Sequence, residues 1–162
     1  MRAARVAAWL DGGGARDAAV IWVTGRGTHG EFASFHAPPD VHVIDFLDPM
    51  ADAYAVSDLV LSRAGMITVA EICAWGLPSV LVPLPTAAAD HQTHNARAMA
   101  EAGAAAVLTQ AEMVRSGVGG VLGRLLAAGP EREAMAAAAR GRGRPHAARD
   151  IVSLLLTLVP PA

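Results

Sequence analysis

At 162 residues, with 53% hydrophobic and 17% charged positions, the chain is long enough for one domain with a sizeable core and too apolar for a disordered tail. A net charge of −2 argues against a dedicated nucleic-acid binder, and all 13 basic side chains are arginines. The single cysteine, Cys73, excludes an internal disulfide, and no run reaches the ~20 apolar residues that span a bilayer.

The N-terminus, MRAARVAAWLDGGG, has no apolar segment followed by a cleavage site, so a cytoplasmic location is expected. Arg2 to Leu10 reads as a helix, with Val6, Trp9 and Leu10 at helical spacing and Gly12-Gly13-Gly14 as a turn after it. Ala18 to Val23 is an apolar strand, Gly30 to Phe35 a short helix, and Val41 to Phe46 the next strand. Asp48-Pro49 starts a helix to about Ser57, with Asp as cap and Pro first.

Residues 58 to 98 carry most of the functional information. The run Leu59 to Leu61 ends in a Ser-Arg-Ala-Gly turn, and a helix with Cys73 on its apolar face opens with Thr68 and Glu71. A second run, Ser79 to Val82, ends in a Pro-rich loop and the cluster Asp90-His91-Gln92-Thr93-His94-Asn95. Two successive strand-turn-helix units place both loops at one edge of a parallel sheet, where open α/β sheets bind ligands.

A fifth strand follows at Ala104 to Leu108. Met113 to Leu126 is helical but interrupted by Gly117, Gly119 and Gly120. Pro130 to Arg140 is a further helix, RGRGRP (140–145) a solvated connector, and Ala147 to Val159 an amphipathic helix stopped by Pro160-Pro161. Strands alternating with helices predict a doubly wound α/β fold.

SRAGMITVAE, then GLPSVLVPLP and DHQTHNARAMAEAGAA, resembles the C-terminal domain of the MurG-type glycosyltransferases of family 28. Upstream, VHVIDFLDPMADAYAVSDLVLSRAG is similar to the segment leading into the same turn, so the resemblance spans about residues 18 to 160. The turn, a Glu six residues beyond its Gly and Asp-x-Gln-x-x-Asn are specific in combination and weak singly. The family transfers N-acetylglucosamine from UDP-N-acetylglucosamine to lipid I in peptidoglycan synthesis, with inversion. The resemblance implies one Rossmann-like domain over residues 1–162: a parallel sheet with helices on both faces, the C-terminal half of a two-domain GT-B enzyme.

In such a domain, N–H groups at Gly65, Met66, Ile67 and Thr68 open a helix toward the diphosphate, and the stretch continues through Val69 and Ala70. Glu71 accepts from both ribose hydroxyls. The backbone of Leu47 meets the uracil edge, its side chain reading equally well as core, and Ser62 and Arg63 flank the turn. Arg63 either touches phosphate or supports the loop. Gln92, whose amide donates and accepts, serves the sugar, with His91 beside it and Asn95 capping or bracing the loop.

Plainer roles stand beside these. Thr68 and Glu71 have the spacing of a capping box, and His94 at a helix start is mainly structural. Asp90, His91 and His94 lack a second ligand pair, so no metal and no cofactor are expected.

The family opens this domain with a strand and a Gly-Gly-Ser-x-Gly-Ala loop, whereas this sequence begins at the helix that should follow. In the strand order 3-2-1-4-5-6 the absent strand is central, so two unpaired sheet edges are expected. No general base is expected beside the diphosphate turn; His91, the one internal substitute, is expected on the donor-sugar side. The lipid-linked acceptor and any peripheral membrane association would come through an N-terminal half. The alternatives are another acceptor class in the same superfamily, or a catalytically silent binding subunit or gene fragment.

Overall fold

A computed structural model describes residues 3–14, 16 and 18–158. The elements run α1 (Ala3–Asp11), β1 (Val20–Val23), α2 (His29–Phe32), β2 (Val41–Ile44), α3 (Met50–Ala55), β3 (Val60–Ser62) and α4 (Met66–Trp75). They continue through β4 (Ser79–Leu81), α5 (His91–Glu101), β5 (Ala105–Val107), α6 (Gln110–Ser116), α7 (Gly119–Ala127), α8 (Gly129–Arg142) and α9 (Ala147–Leu158).

Every strand pair is parallel, which gives the α/β class read from the sequence. The ladder is nonetheless in two pieces, β1–β2 and β3–β4–β5. The strand-order argument put a gap between β1 and β3, and among the described residues no strand joins them. Helix α1 bridges the break. Its Ala7 and Leu10 pack with Val20, Trp22, Val41 and Val43, while Trp9 packs with the core around Val80, Val118 and Leu125.

Successive strand residues point to opposite faces, and the three-stranded piece sorts its side chains accordingly. Val60, Leu81, Ala105 and Val107 join a core with Ile72, Cys73, Ala96 and Met99 from α4 and α5. Leu59, Leu61, Val80, Val82, Ala106 and Leu108 face α6, α7 and α8 through Met113, Leu122 and Met135. Ile72 and Leu81 are fully buried, so truncating either to Ala costs about 2–5 kcal/mol. Cys73 is a buried core residue whose thiol is pushed up by burial.

Several boundaries differ from the sequence reading. Helix α3 starts at Met50 with Pro49, not Asp48, in the cap position, and ends at Ala55. Gly117, in the left-handed region at φ 71°, ends α6, so residues 110–127 form two helices. Helix α8 continues through Arg142, because Arg is a good helix former and the stop comes only at Gly143. The connector is therefore shorter than RGRGRP. Arg2, Val159 and the Pro160-Pro161 stop lie outside the described residues.

Helix α9 is exposed along its length, leaving Ile151, Leu154, Leu155 and Leu158 uncovered. Among the described residues no helix is long and apolar enough to cross a membrane.

Candidate functional site

Ser62 is in register with Leu81, and Leu81 with Val107. The β3–α4 turn and the β4–α5 loop therefore leave the sheet at one edge, as the sequence pattern required.

Gly65 takes the N-cap position of α4 with extended dihedrals, φ −65° and ψ 146°. The helix thus opens two residues before the expected Thr68 start. Its first ladder bond runs from the Val69 N–H to the Gly65 carbonyl, 2.9 Å. The N–H groups of Met66, Ile67 and Thr68 consequently have no acceptor within the helix. They point beyond its N-terminus, where the helix dipole favours an anion. Met66 and Ile67 are 73% and 76% exposed, so this end is open.

The capping-box role for Thr68 and Glu71 is overturned, because Thr68 lies inside the first turn and no side chain caps α4. The same T-x-x-E spacing does form a capping box at α6. There Thr109 Oγ1 accepts from the Glu112 N–H at 3.2 Å and the Glu112 carboxylate accepts from the Thr109 N–H at 2.8 Å. Hydrogen bonds from Thr109 hold the Glu112 carboxyl below its usual range.

Glu71 is half-buried, and its Oε2 accepts from the Tyr54 hydroxyl at 3.0 Å. Burial, and then the bond to Glu71, push the Tyr54 hydroxyl up to about 12. Sequence reasoning missed Tyr54, because a partner 17 residues away on another helix has no spacing signature.

Arg63 supports the loop, one of the two roles left open for it. Its Nη1 donates to the carbonyls of Val82 at 2.6 Å and Pro83 at 2.7 Å, and Nη2 reaches Gln110 Oε1 at 3.4 Å. Asn95 Nδ2 donates to the Ala64 carbonyl at 3.0 Å and braces the same turn from α5. Ser62 Oγ donates to the Arg63 carbonyl at 3.0 Å.

On the second loop, Gln92 Oε1 accepts from the Leu84 N–H at 3.0 Å. His91 is exposed at the first position of α5. Ala89 and Asp90 before it have φ of 48° and 52°, in the left-handed region. Such conformations cost about 1–2 kcal/mol per residue without glycine, and strain of this kind gathers at ligand sites. The Asp90 carboxylate accepts from the Thr93 hydroxyl at 2.5 Å, fixing the start of α5.

Leu47 sits half-buried between β2 and α3. Next to it Phe46 is 54% exposed, with the Arg26 guanidinium 4.5 Å from its ring centre, so the loops after β1 and β2 also meet. Among the described residues no three His, Cys, Asp or Glu side chains gather as a metal site. Two surface clefts of about 310 and 320 Å³ lie elsewhere, one beside Arg5 and Trp9, the other beside Asp58 and Gly76. The candidate site is the open edge between the two loops, not either cleft.

The model of the glycosyltransferase family 28 C-terminal domain matches residues 2–153. The chain belongs to this family. As a family 28 C-terminal domain it is 47% identical over 120 residues to a UDP-N-acetylglucosamine--N-acetylmuramyl-(pentapeptide) pyrophosphoryl-undecaprenol N-acetylglucosamine transferase of Solidesulfovibrio magneticus. That match covers 74% of this chain and 33% of the relative. A transferase of the same name from Salinibacter ruber is 41% identical over 143 residues, 88% of this chain and 38% of the relative. The crystal structure of Acinetobacter baumannii MurG superposes with a TM-score of 0.70 and 33% identity, over 85% of this chain and 40% of that one. The family 28 chain therefore has the fold expected for it, and it spans about a third of the length of these curated relatives.

Proposed function

We propose that this chain binds UDP-N-acetylglucosamine and forms the donor side of an inverting transfer of N-acetylglucosamine to lipid I. The observation that carries the reading is the open N-terminus of α4 with Glu71 one turn behind it, on the edge shared with Gln92. The diphosphate sits on the N–H groups of Met66, Ile67 and Thr68, helped by the Thr68 hydroxyl. The ribose hydroxyls donate to Glu71, whose Oε1 has no partner among the described residues. The Gln92 amide nitrogen donates to a sugar oxygen, and the backbone at Leu47 takes the uracil edge.

In this mechanism an acceptor hydroxyl attacks the anomeric carbon, its proton passes to a base, and the bond to the diphosphate breaks with inversion. Charge then grows on the leaving phosphate, where the preorganised N–H groups of α4 stabilise it most. Holding the sugar and diphosphate in a fixed geometry supplies the rest of this chain's part. We assign acceptor binding and the general base to the part of these relatives that this chain does not cover; their names carry the transferase activity. Calorimetric titration with UDP and UDP-N-acetylglucosamine tests the reading: it expects both to bind, and the absence of binding by either would remove it.

A further inference from the structure

We propose that Tyr54 is a positioning residue of the nucleotide site, locking the Glu71 carboxylate and joining it to the loop that meets the base. The proposal rests on the reading of Glu71 as the ribose acceptor.

Glu71 lies in the second turn of α4, with a long side chain that would otherwise sample several rotamers. Tyr54, on α3, donates to its Oε2 at 3.0 Å. The tyrosine is itself held. It is 6% exposed, belongs to the core with Ile72 and Leu77, and its ring lies 6.5 Å from that of Trp75, one helical turn beyond Glu71. A buried ring that delivers one hydroxyl to one carboxylate oxygen leaves the other oxygen for a ligand. It also removes rotamer freedom that binding would have to remove.

The helix that carries Tyr54 opens directly from the loop containing Phe46 and Leu47. The 3.0 Å bond therefore links base-edge and ribose recognition through one short helix. The chemistry this selects is a ribonucleotide whose base and 2′,3′-diol are read together. A 2′,3′-dideoxynucleotide or a bare diphosphate gains nothing from the contact with Glu71.

The test is a pair of variants of the full 162-residue chain, titrated by NMR with UDP and with 2′,3′-dideoxy-UDP. Tyr54→Phe keeps the ring and its packing. It is expected to reduce the preference for UDP over the dideoxy compound by about two- to tenfold, with dideoxy-UDP affinity unchanged. Glu71→Gln, whose amide oxygen is a weaker acceptor than a carboxylate, is expected to reduce the preference more strongly than Tyr54→Phe. An undiminished preference in Tyr54→Phe, even with a lowered melting temperature, overturns the positioning role alone. An undiminished preference in Glu71→Gln overturns the ribose reading and the positioning role with it.

A second measurement stands without any ligand. Tyr54 is the single tyrosine, so tyrosinate absorbance reports it directly. Glu71→Gln removes the carboxylate charge and should lower its titration midpoint from about 12, while burial, the largest cause of the rise, keeps it above the ordinary 10.0. A midpoint that does not move would show that the hydroxyl is not bonded to Glu71 and would overturn the proposal.

Discussion

The Arg63 guanidinium donates to the backbone carbonyl of Val82 at 2.6 Å, joining the end of β3 to the end of β4 across the sheet edge. With its second bond to Pro83 it ties together the two loops that make the candidate site. The two loops of the candidate site thus share one internal brace.

Arg63→Ala leaves two largely buried carbonyls without their donor. The expected cost is about 1–3 kcal/mol of stability, read as a lower melting temperature, with Arg63→Lys in between. If Arg63 were instead reserved for phosphate, the melting temperature would stand and UDP affinity alone would fall.

For Gln92 the two ends of the amide have separate tasks. Gln92→Glu keeps an oxygen for the Leu84 N–H and removes the donor meant for the sugar. Affinity for UDP-N-acetylglucosamine should drop by about 0.5–1.5 kcal/mol relative to UDP, while the loop stays folded. Equal losses for both ligands would move Gln92 from the sugar to the loop.

The strand alternation and the common edge were legible because apolar period and turn residues report local structure directly, whereas the Asp-x-Gln-x-x-Asn cluster was singled out by the resemblance to family 28. What could not be read was tertiary. T-x-x-E occurs at residues 68–71 and again at 109–112, and only the second is a capping box. A glycine cap such as Gly65 acts through backbone conformation and leaves no side-chain signature. The contacts that brace the site, Arg63 to Val82, Asn95 to Ala64 and Tyr54 to Glu71, all join different elements. Helix α9 was legible as amphipathic, but its sequence says nothing of what would cover its apolar residues.

Ser79 is fully buried at the start of β4, and its hydroxyl oxygen has no partner among the described residues. A buried hydroxyl without a hydrogen bond is destabilising. Ser79→Ala should therefore leave stability unchanged or raise it by up to about 1 kcal/mol. Thermal melting checks this, and a clear loss would mean that the hydroxyl is bonded.

The alkaline limb of stability follows from Tyr54. Its folded value, about 12, exceeds the ordinary 10.0, so the folded state holds the proton after the unfolded chain has released it. Its contribution is complete below pH 10.0 and is lost as the pH rises toward 12. The chain has no lysine to titrate in that window, and Cys73, raised from 9.0 by burial, adds a loss of the same sign. Melting temperature against pH should fall less steeply in Tyr54→Phe than in the parent chain. Parallel profiles would contradict the shift.

The central claim is that the edge at Glu71 holds a nucleotide sugar by its ribose. Its most direct test is calorimetric titration of UDP-N-acetylglucosamine into the parent chain and Glu71→Gln, with melting temperatures measured alongside. The account predicts binding by the parent chain, a loss of about 1–3 kcal/mol in the variant and little change in melting temperature. Unchanged affinity for UDP-N-acetylglucosamine in Glu71→Gln would contradict it.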